Sequence, residues 1–236
     1  MEPIRNPLVI FDCDGVLVDS EPLSVQVLID AVRAHGGDLD EEEAYRRFLG
    51  RSLANLVHVL GEDFGIDADS VFLEQMRQDL YRRFERELQP VSGVRQAVED
   101  MPWQHCVASS SQLERIRLSL GLTELRSLFE PHIFSATMVR NGKPAPDLFL
   151  HAAQQMGRTP EDCIVVEDSP AGIEAAKAAG MAVFAFVGAS HADREDYRRE
   201  IARLAPDVTF DAMSDLLHLI KRHGGDPAAV LPSRTP

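Results

Sequence analysis

The chain has 236 residues, enough for one large domain or for a core domain carrying a smaller insertion. Its 44% hydrophobic and 26% charged residues are a globular balance, while a formal charge of -14 opposes binding to nucleic acid or an anionic membrane surface. No apolar run reaches the length of a bilayer span, and the first six residues lack the features of a secretory signal. Cys13, Cys106 and Cys163 sit in or beside apolar runs, so reduced thiols and a cytoplasmic location are expected. The histidines show no HxxxH spacing and no CxxC occurs, which argues against zinc; nothing in the sequence points to a protein partner.

In chain order, Leu8-Val9-Ile10-Phe11 reads as a buried strand, ending at Asp12-Cys13-Asp14-Gly15. From Pro22 to Gln89 there is no convincing strand. Leu23, Val27 and Ala31, then Leu53, Val57 and Leu60, then Phe72, Met76, Leu80, Phe84 and Leu88 mark apolar stripes on helices, best explained by core packing. Pro90 to Gly93 reads as a turn, and Cys106-Val107-Ala108 as the next strand. Ser111-Gln112-Leu113-Glu114 has the spacing of a capping box and opens a helix that should stop near Gly121. Ile164-Val165-Val166 is another strand, followed by an alanine-rich helix from Pro170 that closes at Gly180. Val183 to Val187 and the weaker Val208-Thr209-Phe210 complete the strands. Strands separated by helices imply parallel pairing through right-handed crossovers. The expected architecture is therefore an α/β, doubly wound parallel core (1–20 and 90–222), an inserted all-helical cap (21–89), and a flexible Gly/Pro-rich tail (223–236).

Four features fall at the C-terminal ends of these strands, where open α/β sheets place their ligands. Asp12 and Asp14, two apart at a strand end, can share a site. Close carboxylates repel unless a cation bridges them or one keeps its proton, and both outcomes suit phosphoryl chemistry; the plainer alternative is an Asp-Gly turn. Ser109 precedes helix N-terminal amides that suit a phosphate oxygen, or else it is an accessory turn residue beside the capping Ser111. Lys143, one of three lysines, lies in Gly142-Lys143-Pro144-Ala145-Pro146-Asp147, where two prolines should hold the backbone extended and fix its exit. Glu167-Asp168 forms an acidic pair before a helix; Asp168 can ligate a hard cation such as Mg²⁺, or it or Ser169 simply caps that helix.

In this order, FDCDGVLVDSEP, the serines of VASSS, GKPAPDLF and VVEDSPAGIEAAKAAG resemble the haloacid dehalogenase-like superfamily, in its branch of β-phosphoglucomutase-like enzymes and sugar phosphatases. The resemblance spans about Leu8 to Ile220. It implies a Rossmann-like core and a helical cap. It also implies that Asp12 is the nucleophile and a Mg²⁺ ligand, forming an aspartyl-phosphate. Asp14 would be the general acid and base, its backbone carbonyl reaching the metal. Ser109 and Lys143 would hold the phosphoryl group, and Asp168, with Glu167 beside it, would complete the metal site. Glu21, Arg51 and Ser110 are candidate substrate-binding residues, with His58 a further polar candidate in the cap and the loop after Val187 facing the leaving group. Arg51 reads equally as a solvated arginine.

The substrate expected is a small phosphorylated metabolite, a sugar or polyol phosphate. Asp14 argues against a dehalogenase, which lacks an acid at that position, and the absence of lysine before Lys143 argues against a phosphonatase. Two alternatives stay open. A sugar phosphomutase shares the core motifs, but mutase relatives use a hinge His, where this chain has Ser24, and a cap Lys, which it lacks. An idle relative that only binds a phosphometabolite or a partner would be expected to have lost one of Asp12, Asp14, Lys143 or Asp168, and all four are intact.

Overall fold

The computed structural model describes residues 6–48 and 53–224. They form two compact units, one from the residues up to Asp19 and from Pro90 onward, the other from Ser20–Gln89. The first is a six-stranded sheet in the order β3-β2-β1-β4-β5-β6, with β1 Leu8–Phe11, β2 His105–Ser109, β3 Ile133–Ser135, β4 Cys163–Glu167, β5 Ala182–Phe186 and β6 Val208–Phe210. Every neighbouring pair is parallel. Strands β1, β2, β4 and β5 are almost wholly buried, which is why they read as continuous apolar runs and not as alternating ones. Helices α5 (Val94–Glu99), α6 (Leu113–Leu122), α7 (Arg126–Phe129), α8 (Asp147–Gln155), α9 (Pro170–Ala178), α10 (Glu195–Arg203) and α11 (Leu216–His223) complete this unit. The expected doubly wound core is the one observed.

Phe11, Phe129, Phe149, Phe184 and Phe186 are fully buried, each contributing on the order of 1.5–3 kcal/mol relative to exposure. Strand order reverses direction at β1, which lies between β2 and β4. Such a reversal opens a crevice at the carboxyl ends of the two central strands. In register, Phe11 pairs with Val107 on one side and Val166 on the other, so the residues that follow each strand emerge together.

The sequence pattern missed β3. At three residues it is too short to carry a periodic signal, yet Ser135 pairs with Ser109 and its hydroxyl donates to the Ser111 carbonyl at 2.7 Å. Helix α9 begins at Pro170 as expected, with Ser169 Oγ accepting the Gly172 amide at 3.1 Å, and Gly180 takes the left-handed φ of +75° just beyond it.

The second unit is helical: α1 Glu21–Ala34, α2 Glu41–Phe48, α3 Leu53–Phe64 and α4 Ser70–Glu87. Its core is built from Val25, Leu28, Ile29 and Val32 of α1 with Leu39, Tyr45 and Leu60, against which Phe72 and Met76 pack. Asp69 caps α4 by accepting the amides of Val71 and Phe72, and Arg83 ties α4 to α1 through Asp30 at 2.7 Å. Among the described residues no helix is long and apolar enough to cross a membrane.

Candidate active site

Asp12 follows β1 directly, and its amide still donates to the Val166 carbonyl at 2.9 Å, so the sheet fixes where its side chain starts. The chain then folds back on itself: Leu17 donates to Cys13 O at 2.9 Å and Gly15 to Val18 O at 2.8 Å. Gly15 adopts φ +78°, and a Cβ there would lie 2.0 Å from Asp168 Oδ2. Glycine is required twice over, by its backbone and by the carboxylate pressed against it.

Asp12, Glu167 and Asp168 are all buried and offer carboxylate oxygens within 4.8 Å of one another. Lys143 Nζ lies 2.6 Å from Asp12 Oδ1 and 2.7 Å from Glu167 Oε1, with only 3% of its side chain exposed. It also sits 4.7 Å from the centre of the Phe149 ring. The other oxygen of Glu167 accepts the Ser169 amide at 2.6 Å, and a Cβ on Gly172 would fall 1.7 Å from Oε1. Any side chain at Gly172 would therefore push Glu167 off Lys143.

The segment carrying Lys143 is not extended, as the two prolines had suggested. Ala145 donates to Gly142 O at 3.0 Å and closes a tight turn, which Asp147 holds by accepting from Asn141 Nδ2 at 3.0 Å. Lys143 emerges from that turn into the carboxylates.

Asp14 faces a different set of partners. Ser111 Oγ donates to its Oδ2 at 2.7 Å and Arg115 to its Oδ1 at 2.8 Å. Ser111 is thus no helix cap: Gln112 occupies the N-cap position without a side-chain bond, and the Ser111 hydroxyl has gone to a carboxylate 97 residues away. Local spacing cannot register such a competitor. Ser109 is buried at the end of β2 with its Oγ accepting the Ser111 amide at 3.2 Å, and Ser110 beside it is exposed. Glu21, the half-buried first residue of α1, and exposed His58 on α3 belong to the helical unit; Arg51 lies outside the described residues.

Two residues at the site escaped the sequence reading. Arg115, in the first turn of α6, gave no signal in the sequence, because its partner Asp14 lies 101 residues away. His191 lies in the loop after β5, expected to face the leaving group, but its ring turns inward and places Nε2 3.0 Å from Asp168 Oδ2.

Burial is the main reason that the carboxyls of Asp12 and Asp168 are held well above their ordinary range; for Asp12 the Lys143 ammonium opposes the shift and the neighbouring acids add to it. For Lys143, burial alone would lower the ammonium, but Asp12 and Glu167 outweigh it and keep it charged. With all three carboxylates ionised, the one ammonium would leave two negative charges in a buried cluster. That deficit and an all-oxygen donor set fit a hard divalent cation.

A family model for haloacid dehalogenase-like hydrolases matches residues 7–180. A 6-phosphogluconate phosphatase of Escherichia coli is 32% identical over 227 residues, covering 95% of this chain and 99% of the relative. A phosphorylated carbohydrates phosphatase of Thermotoga maritima is 32% identical over 73% of this chain and 81% of its own. The crystal structure of a conserved haloacid dehalogenase-like protein of unknown function from Agrobacterium tumefaciens is 35% identical, with a TM-score of 0.82 over 92% of this chain and 98% of that one. The chain belongs to the haloacid dehalogenase-like hydrolases. It is a phosphoric monoester hydrolase of that family, whose general chemistry uses a divalent metal and an aspartyl-phosphate.

Proposed function

We propose that this enzyme releases inorganic phosphate from sugar or polyol phosphates, with Mg²⁺ as its metal and Asp12 as the residue that is phosphorylated. The observation that carries the reading is the Asp12–Lys143–Glu167 chain of contacts beside Asp168: a buried nucleophile candidate, a buried ammonium and a cluster short of two positive charges once its carboxyls ionise. In this reading Asp12 Oδ attacks phosphorus, and the bond from phosphorus to the ester oxygen breaks. Asp14 gives its proton to the departing oxygen and then takes one from the water that cleaves the acyl phosphate. Lys143 and Ser109 hold the equatorial oxygens through both steps. The cation would be held by Asp12, Asp168 and the Asp14 carbonyl, and it would neutralise charge on the phosphoryl group. Glu167 is assigned chiefly to orienting Lys143, because Lys143 and the Ser169 amide already engage its two oxygens. Core residues 1–20 and 90–222 would supply this chemistry and residues 21–89 the substrate selection. The three buried free thiols accord with a cytoplasmic enzyme.

The similarity to phosphatases of 6-phosphogluconate and of phosphorylated carbohydrates supports the substrate class. Ser24, at the position of the mutase hinge histidine, spends its hydroxyl on the Ser20 carbonyl at 3.1 Å and offers no imidazole. This favours the hydrolase over the mutase. The test is to incubate the purified protein and Mg²⁺ with 6-phosphogluconate, hexitol phosphates, glucose 6-phosphate and glucose 1-phosphate, following both phosphate and isomers. Net phosphate release from at least one of them is expected. Rapid conversion of glucose 1-phosphate to a sugar 6-phosphate with negligible phosphate would replace the hydrolase with the mutase.

A further inference from the structure

The loop between β5 and α10 has no role in the chemistry above, yet it is held at several points. Gly188 passes so close to Asp211 that a Cβ would lie 2.0 Å from the Asp211 carbonyl. Ser190 donates through its amide and its hydroxyl to the Asp19 carboxylate, and Ala192 donates to Ala189 O at 3.0 Å. Arg198 reaches back from α10 to the carbonyls of Ala192 at 2.8 Å and Val187 at 3.0 Å. These bonds flank His191 on both sides. Its side chain has no exposure at all, and its ring meets Tyr197 edge-on at 5.3 Å. Tyr197 in turn donates to the Asp168 backbone carbonyl at 2.9 Å.

We propose that His191 is a positioning residue for Asp168, presenting one carboxylate oxygen to the divalent cation by engaging the other. The inference rests on the reading of Asp168 as a metal ligand. A carboxylate that rotates freely offers either oxygen and loses entropy on binding. Here Oδ2 is confined between the His191 imidazole at 3.0 Å and the bare α-carbon of Gly15. The remaining oxygen is the one left for the cation, in the cluster that Asp168 forms with Asp12 and Glu167. Groups that hold ligating carboxylates commonly govern metal affinity more than the chemical step. A purely space-filling residue at this position would need neither an imidazole nor the latches that deliver it. Direct contact with substrate is not open to a ring sealed from solvent.

The test compares wild type, His191→Leu, His191→Gln and Ser190→Ala. Mn²⁺ binding to each is measured without substrate, by calorimetry or electron paramagnetic resonance, alongside the Mg²⁺ dependence of turnover. His191→Leu keeps the bulk and loses the N–H; it should weaken Mn²⁺ binding and raise the Mg²⁺ requirement by about 10–100-fold. Turnover at saturating Mg²⁺ should recover to within about threefold, a difference under 1 kcal/mol in barrier, with KM for substrate unchanged. His191→Gln, which keeps an N–H, should recover most of the affinity. Ser190→Ala, an exposed change that removes the hydroxyl half of the Asp19 latch, should shift metal binding in the same direction and keeps the test alive if His191→Leu does not fold. Wild-type metal affinity in His191→Leu, or in Ser190→Ala where the former is unfolded, would overturn the inference. So would a loss of turnover in His191→Leu that excess Mg²⁺ does not repair. A wild-type protein that binds no divalent cation would take down the parent reading as well.

Discussion

Replacing Lys143 by methionine removes one charge while keeping the stem, and the consequences follow from what the ammonium touches. It lies 2.6 Å from Asp12 and 2.7 Å from Glu167, the only ammonium in contact with these buried carboxyls among the described residues. Breaking a buried ion pair by deleting one partner costs about 3–5 kcal/mol, because the other charge is left uncompensated. In a chain of 236 residues each kcal/mol moves Tm by about 2–4 °C, so a fall of about 6–20 °C is expected in metal-free protein. Turnover should fall separately, by about 10²–10³-fold, the usual loss when one preorganised donor to a transition-state oxyanion is removed. The double variant Lys143→Met/Glu167→Gln tells the two effects apart. Neutralising Glu167 takes away one orphaned carboxylate, so part of the Tm should return while turnover stays low. The assays are thermal melts in chelator and steady-state phosphate release at saturating Mg²⁺. Turnover of Lys143→Met within tenfold of wild type would refute the electrostatic role. Additive destabilisation by Glu167→Gln would refute the charge account of the cluster.

Asp14→Asn should cost far more on an alkyl phosphate than on an aryl phosphate with a good leaving group, because only the former needs its departing oxygen protonated; equal losses in paired kinetics would count against general acid catalysis. Arg51→Ala should act through KM and substrate choice and not through turnover, and if no substrate in the panel responds, Arg51 has no part in substrate recognition. Burial pushes the Cys163 thiol up to about 12 and raises Cys106 and Cys13 as well, so a thiol-exchange reagent at pH 8 should modify none of the three until denaturant is added. The sign for stability follows: the neutral thiols' contribution is intact below the ordinary thiol value and is lost as pH rises toward 12, which melts run between pH 8 and pH 11 would detect as a steepening decline.

The parts of the fold that the sequence disclosed are those where burial on both faces wrote an unbroken apolar run, as in Leu8–Phe11, or where a helix end used a local device, as Ser169 and Gly180 do around α9. What stayed hidden depended on partners remote in sequence. The three residues of β3 are set by pairing with β2, not by their own pattern. Ser111 had the spacing of a cap, whose oxygen would accept a helix amide, and yet its hydroxyl donates to Asp14, because a charged carboxylate is the stronger partner. The acidic residues of the site were legible as strand-end pairs, since β1 and β4 are neighbours at the sheet's reversal point. Arg115 and His191 were not, because each is recruited by a carboxylate more than 20 residues away.

The central claim is that phosphate passes through Asp12. Wild-type protein and Asp12→Asn should be mixed with a substrate from the panel in Mg²⁺, quenched within one turnover, treated with hydroxylamine to trap acyl phosphate, and mapped by peptide mass spectrometry. The account predicts a hydroxamate on Asp12 in wild type, none anywhere in Asp12→Asn, and turnover in the folded variant reduced by several orders of magnitude, since an amide cannot form the acyl phosphate. A trapped acyl group on another residue, or near-normal phosphate release by folded Asp12→Asn, would contradict it.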